Sequence, residues 1–182
     1  QGFARNYPQV DEQGLLLMGP CGVGKTHLAV AALKELVLRG HESLFYDYRE
    51  LLKQIQASYN PVSQASEMDV LEPVLKTELL LLDDLGSSKP SAWALETVGH
   101  ILNTRYNEKR ITLITTNYLD SECVQRARAV LPSGETIVTT EDTLADRVGQ
   151  RIRSRLYEMC RTVEIFARDY RRAARQASRY RS

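Results

Sequence analysis

Apolar residues in this chain come in short blocks separated by amphipathic stretches. Residues 15–18, 43–48, 78–82, 111–116 and 162–166 are brief runs rich in Leu, Ile, Val or aromatic side chains, and each predicts a strand. In the third run Leu79-Leu80-Leu81-Leu82 shows no alternation at all, which predicts a strand covered on both faces, as in a parallel sheet. The stretches between are helical. In 27–39, Leu28, Ala31, Ala32, Glu35 and Leu36 repeat with a period of about 3.6, and Gly40 stops the pattern. Residues 49–59 and 68–76 predict two more helices, the second despite Pro73, with a Pro/Ser/Gln break at 60–66. After a loop at 86–90, Ser91 caps a long helix running to about Lys109. The segment 120–141 predicts a short helix at 122–130, a Pro132-Ser133-Gly134 turn and a possible β-ribbon at 136–139. Residues 143–157 predict one helix. The first 13 residues are polar, with Phe3 and Tyr7 as anchors. Strands alternating with helices predict an α/β domain on a parallel sheet. Such a sheet binds ligands at the carboxyl ends of its strands.

Those ends carry the chemistry. The first run leads into Gly19-Pro20-Cys21-Gly22-Val23-Gly24-Lys25-Thr26, followed by His27. It fits G-x-x-x-x-G-K-[ST] at every fixed position, in the strand-to-helix context the motif requires. Gly22 and Gly24 let the loop wrap an anion with its N–H groups, and the following helix adds its positive end. Lys25 is placed to reach β- and γ-phosphates, and the Thr26 hydroxyl to face Mg²⁺. The expected ligand is a nucleoside triphosphate. Asp83 and Asp84 end the leucine run. One carboxylate suits Mg²⁺, which takes few carboxylates plus phosphate oxygens and water; the other suits an attacking water. If the strand continues, the two point to opposite faces, so one role each is expected. Asn117 ends the fourth strand and would bring an amide to the γ-phosphate or the water. Asn is also common in strand-end turns.

Composition adds limits. The 182 residues, 43% of them apolar, suit one domain with a proper core. Net charge is +1, but residues 167–182 hold six arginines and one aspartate, so the remainder sums to −4. That basic tail reads first as a solvated, partly helical segment, and alternatively as a contact for phosphates. Three scattered cysteines, Cys21, Cys123 and Cys160, argue against a disulfide framework and for a reducing compartment. Neither a membrane-length apolar run nor a signal peptide is visible, so the cytoplasm is expected. The start at Gln1, without methionine, suggests a fragment.

Several words of the sequence resemble AAA+ ATPases, and more narrowly the DnaC/DnaI/IstB group of bacterial replicative helicase loaders and transposon-encoded relatives. They are Gly14 through Ala29 around the loop, Leu79 through Gly86, Arg105-Tyr106-Asn107, Ile114 through Asn117, and Arg151 through Cys160. The resemblance covers nearly the whole chain. It implies a P-loop AAA+ three-layer fold: a five-stranded parallel sheet flanked by helices, with the lid domain reduced or absent. Lys25 and Thr26 match Walker A, Asp83 and Asp84 match Walker B, and Asn117 matches sensor 1. Asp84 stands where many relatives have Glu, which implies slow hydrolysis. Ser154-Arg155-Leu156 resembles the box VII word, making Arg155 the candidate arginine finger; Arg151 and Arg147 on the same predicted helix are the other candidates. A finger acting on a neighbour implies self-association through a shared ATP site. Residues 56–76 match the helical insertion of the initiator clade and are only weakly basic. The implied function is an ATP-binding, ATP-hydrolysing module that assembles on ATP and single-stranded DNA to load the replicative DNA helicase, with a partner-binding domain upstream. Two alternatives stay open: an IstB-type transposition regulator on double-stranded DNA, and a nucleotide-dependent DNA scaffold with negligible turnover. Tyr46, Tyr48, Tyr59 and Tyr106 are too scattered to form a stacking platform for single strands.

Overall fold

The computed structural model describes residues 3–4, 7, 13–60, 66–120, 127–130, 136–139, 142–167 and 169–171. In chain order the elements are β1 (Gly14–Met18), α1 (Lys25–Leu38), β2 (Ser43–Asp47), α2 (Tyr48–Ser58), α3 (Glu67–Lys76), β3 (Leu79–Asp83), α4 (Ala92–Asn107), β4 (Ile111–Thr116), β5 (Ala127–Val130), β6 (Thr136–Thr139), α5 (Leu144–Val148), α6 (Gln150–Met159) and β7 (Cys160–Glu164).

The main sheet has the order β2-β3-β4-β1-β7, and every neighbouring pair is parallel. Its leucine strand behaves as the unalternating run predicts. Leu80 and Leu82 face a core built with α2, α3, α4 and α6, whereas Leu79 and Leu81 face one built with Ala29, Leu33 and Leu36 of α1. The sheet is therefore a middle layer between two helical layers, and its central strands have no solvent face. That burial anchors their carboxyl ends, where the candidate residues sit.

Local chemistry sets the helix starts. Asp47 accepts the N–H groups of Arg49 and Glu50, which ends β2 one residue early and makes the buried Tyr48 the first residue of α2. Ser66 and Asp69 form a capping box for α3, and Ser91 caps α4 as expected.

Three expectations need correction. The single helix over 143–157 is two: Thr143 and Asp146 box the start of α5, then Gly149 at φ 81° turns the chain before α6. A left-handed glycine cannot continue a helix. The last strand begins at Cys160, pulled two residues forward by its parallel register on β1. Within the expected helix at 122–130, residues Ala127–Val130 form a strand paired antiparallel with Thr136–Thr139. The ladder meets backbone hydrogen-bonding needs that a lone helical turn would leave open. Residues 121–126 and the Pro132-Ser133-Gly134 turn lie outside the described residues.

One cation holds the amino edge together. Arg105, on α4, is 0% exposed. Its Nε donates to Thr112 Oγ1 at 2.9 Å, Nη1 donates to the carbonyls of Val74 and Thr77 at 2.9 Å each, and Nη2 to that of Ile111 at 2.6 Å. Burial, assisted by Arg110, pulls its pKa down to about 10, so it stays charged at neutral pH. The Arg105-Tyr106-Asn107 word thus contributes a staple between α3, α4 and β4. Replacing Arg105 with Met strands these acceptors in the core and is expected to cost roughly 3–5 kcal/mol. Urea unfolding checks this as a lower midpoint at unchanged slope.

Candidate nucleotide site

The loop between β1 and α1 ends at Gly24, which takes φ 92° and gives α1 no side-chain cap. No acidic residue stands in the first turn of α1. The helix therefore begins with free N–H groups and an uncompensated positive end, the arrangement that receives phosphate.

Lys25 is only 6% exposed and folds back across the loop. Its Nζ donates to the carbonyls of Gly19 and Pro20 at 2.8 Å each and to Asn117 Oδ1 at 2.7 Å. Burial holds its pKa below the usual lysine value against the opposing pull of Cys21, Asp84 and Asp83. The Thr26 hydroxyl donates to Asp83 Oδ1 at 2.9 Å. Adjacent oxygens of an octahedral Mg²⁺ shell at 2.0–2.1 Å stand about 2.9 Å apart, so this pair has the spacing of two neighbouring ligands. Among the described residues no group of three or more His, Cys, Asp or Glu forms a cage of its own. The donor set suits an ion that brings phosphate oxygens and water with it.

Asp83 also accepts the Thr115 hydroxyl at 2.5 Å, and the same Thr115 Oγ1 accepts the Asp84 N–H at 2.9 Å. The strand does not continue through Asp84. That residue turns to φ 58°, and its carboxylate accepts Asn117 Nδ2 at 2.5 Å. Both carboxylates therefore reach the same site, by a turn rather than by opposite strand faces. Asn117 bridges them to the loop, holding Lys25 with one end of its amide and Asp84 with the other. Lys25, Thr26, Asp83, Asp84 and Asn117 come together. Gly19, Pro20, Cys21, Gly22, Val23 and Gly24 form the loop around them. His27 is exposed on α1 and lines a neighbouring cleft with Leu28 and Ile165.

Arg155 is not brought to this site. Its Nε donates to Asn103 Oδ1 at 3.1 Å and its Nη1 to Glu158 at 2.7 Å, and it lies 4.1 Å from the Tyr106 ring centre. Arg147 is also engaged within its own chain, donating to the carbonyls of Gly86 at 2.8 Å and Ser88 at 2.7 Å. Arg151 is exposed and makes no hydrogen bond or ion pair among the described residues. Arg151 and Arg155 share the wall of one cleft of about 850 Å³ between α4 and α6.

Three participants escaped the sequence reading. Thr115 left one signal, a hydroxyl two residues before Asn117. Arg49, at the start of α2, comes within 3.9 Å of Asp84. The head of the basic tail lies on the phosphate loop: the Tyr170 N–H donates to the Gly22 carbonyl at 3.0 Å, and Arg171 is close enough to depress Lys25. A Cβ on Gly22, at φ 81°, would stand 2.1 Å from Asp169 Oδ1. Gly22→Ala is expected to cost about 1–2 kcal/mol in backbone strain alone. Adding Asp169→Ala should recover only the steric part, and a thermal double-mutant cycle measures the split.

The model of the IstB-like ATP binding protein family matches residues 8–178. Replicative helicase loader DnaI of Bacillus subtilis (strain 168) is 27% identical over 122 residues, which are 66% of this chain and 38% of that protein. Replicative helicase loader DnaC of Escherichia coli (strain K12) is 29% identical over 102 residues, 56% of this chain and 41% of that protein. The chain thus spans well under half the length of these curated relatives. A crystal structure of the DnaC helicase loader superposes with TM-score 0.71 at 34% identity, covering 91% of this chain and 85% of that one. The replication initiator DnaA bound to AMPPCP and single-stranded DNA shares the fold, with TM-score 0.67 at 20% identity, over 91% of this chain and 44% of that one.

Proposed function

The chain belongs to the IstB-like ATP binding protein family, in the AAA+ group of the helicase loaders DnaC and DnaI, and from this we propose that it is an ATP-hydrolysing module that assembles on ATP and single-stranded DNA to load a replicative helicase. The observation that carries the reading is the unbroken hydrogen-bonded chain Thr26–Asp83–Thr115–Asp84–Asn117–Lys25 around the bare start of α1. Such a chain brings cation, metal-type oxygens, carboxylate and amide to one point.

In this reading Lys25 leaves the Gly19 and Pro20 carbonyls for β- and γ-phosphate oxygens, which are better partners for an ammonium. Thr26 and Asp83 would hold Mg²⁺, which when bound would shield phosphate charge. Asp84 accepts a hydrogen bond from the water that attacks the γ-phosphorus, and Asn117 keeps that carboxylate aimed. The bond to the β-phosphate oxygen breaks, giving ADP and phosphate. The positive charge still wanting at the transition state comes from a neighbouring subunit. Geometry favours Arg151 for that role, because Arg155 and Arg147 already have partners in their own chain. Residues 1–182 act as one AAA+ module.

A second reading has its own support. The matching family model is that of IstB-like proteins, and a transposition regulator would bind double-stranded DNA. Phosphate release stimulated by single strands selects the loader, and stimulation by duplex alone selects the regulator. Release that no DNA stimulates, beside ATP-dependent assembly, leaves the scaffold.

Lys25→Ala is expected to abolish binding of a fluorescent ATP analogue; retained binding overturns the site. Arg151→Ala should leave binding intact while phosphate release falls by about 10³-fold, the lower end of what such arginines contribute. Arg155→Ala should cost less than Arg151→Ala in the same assay.

A further inference from the structure

Helix α6 presents two opposite faces. At about 100° per residue, Arg153 and Tyr157 stand about 120–160° away from Arg151 and Arg155. The first pair is fastened to the chain's own site. Arg153 Nε donates to Asp120 Oδ1 at 2.9 Å and Arg153 Nη2 to Asp120 Oδ2, while the Tyr157 hydroxyl donates to Oδ2 at 2.7 Å. The guanidinium also lies 5.1 Å from the Tyr157 ring centre. Burial first, then the bond to Asp120, push the Tyr157 pKa up to about 12, so the phenol remains a donor at neutral pH. Asp120 is buried and lies three residues past Asn117.

A second fastening is on α5. Arg147 donates to the Gly86 and Ser88 carbonyls, pairs with Asp142 at 3.1 Å and lies 4.9 Å from the Tyr118 ring centre. The Leu144 N–H donates to the Leu119 carbonyl at 2.9 Å. The loops after β3 and β4 are thus attached to α5 and α6. The loop after Asp84 is held at Gly86 and Ser88, and the loop after Asn117 at Leu119 and Asp120. On the far side of α6, Arg151 is exposed and Arg155 rests on α4.

We infer that Asp120 and Arg147 are positioning residues that tie the loops around one chain's triphosphate to the arginines the same chain offers its neighbour. This rests on the proposed arginine supplied between subunits. A displacement of the Asp84 or Asn117 loop on phosphate binding carries α5 and α6 with it, because the two helices are joined by Gly149 alone and held at two separated points. Occupancy of one site then sets arginine placement at the next.

The test uses mixed assemblies of the full-length protein with ATP and single-stranded DNA. The acceptor carries Arg151→Ala and Arg155→Ala: its site is intact and it presents no arginines. The donor carries Asp84→Asn: it binds ATP and presents arginines but hydrolyses little. Phosphate release from the mixture reports acceptor sites facing donor arginines. Asp120→Asn in the donor is expected to lower release about ten-fold, and in the acceptor less than about two-fold. Tyr157→Phe removes one hydroxyl and keeps the ring, and is expected to lower release about three-fold with the same asymmetry. Equal losses in donor and acceptor, or no loss from the donor, overturn the inference alone. An unsubstituted mixture that releases phosphate no faster than its separate parts overturns the shared-site reading, and this inference with it.

Discussion

A buried ammonium must be paired, and the phosphate end of this sheet is built around that requirement. Lys25 sits out of solvent at the first turn of α1, beside the positive end of the helix, where an unpartnered charge would be driven off its proton. Two loop carbonyls and the Asn117 oxygen prevent that. Each partner constrains something larger. The carbonyls curl Gly19 and Pro20 back over the helix start. Asn117 must end β4 beside the loop, and its other end then aims Asp84. In the proposed function a triphosphate would offer the same ammonium better partners, so that ligand binding would exchange one satisfied set for another rather than fill a gap.

Asp84 shows the same economy in its backbone. At φ 58° Asp84 takes a backbone conformation in which Asp and Asn are enriched among residues other than glycine. The resemblance makes the Asp a departure from Glu in many relatives. The turn supplies a physical reason for the short residue: its backbone N–H is held by Thr115 and its carboxylate by Asn117.

The legible part of the molecule was the part whose signals are local. The phosphate loop, the leucine strand running into Asp83 and the Ser91 cap each carry their reason within a few residues. The illegible part depends on distance. Gly149 inside a helical pattern reads as tolerated until its positive φ is seen. Residues 127–130 read as helix because the pairing that makes them a strand lies outside their own pattern, with Thr136–Thr139. Arg105, Arg147, Arg151, Arg153 and Arg155 look alike in sequence. One is a core staple, one grips the β3 loop, one grips Asp120, one lies over Tyr106 and one stands exposed, and only the packing around each tells them apart. The contact of Tyr170 with Gly22 joins residues whose separation no local pattern encodes.

That contact, together with the pairing of β1 and β7, bears on how the protein is made. β1 precedes β7 by most of this sequence, and one of its edges stays bare until Cys160–Glu164 arrives to pair with it. The loop that follows β1 receives its last hydrogen bond from Tyr170. Contacts this distant in sequence form late, after the closure entropy of most of the chain has been met. A growing chain still tethered to the ribosome therefore carries an open-edged sheet and an incomplete phosphate loop. Completion of the phosphate loop waits on a residue far beyond it in sequence, which keeps chains folded only through β4 out of any assembly that nucleotide builds.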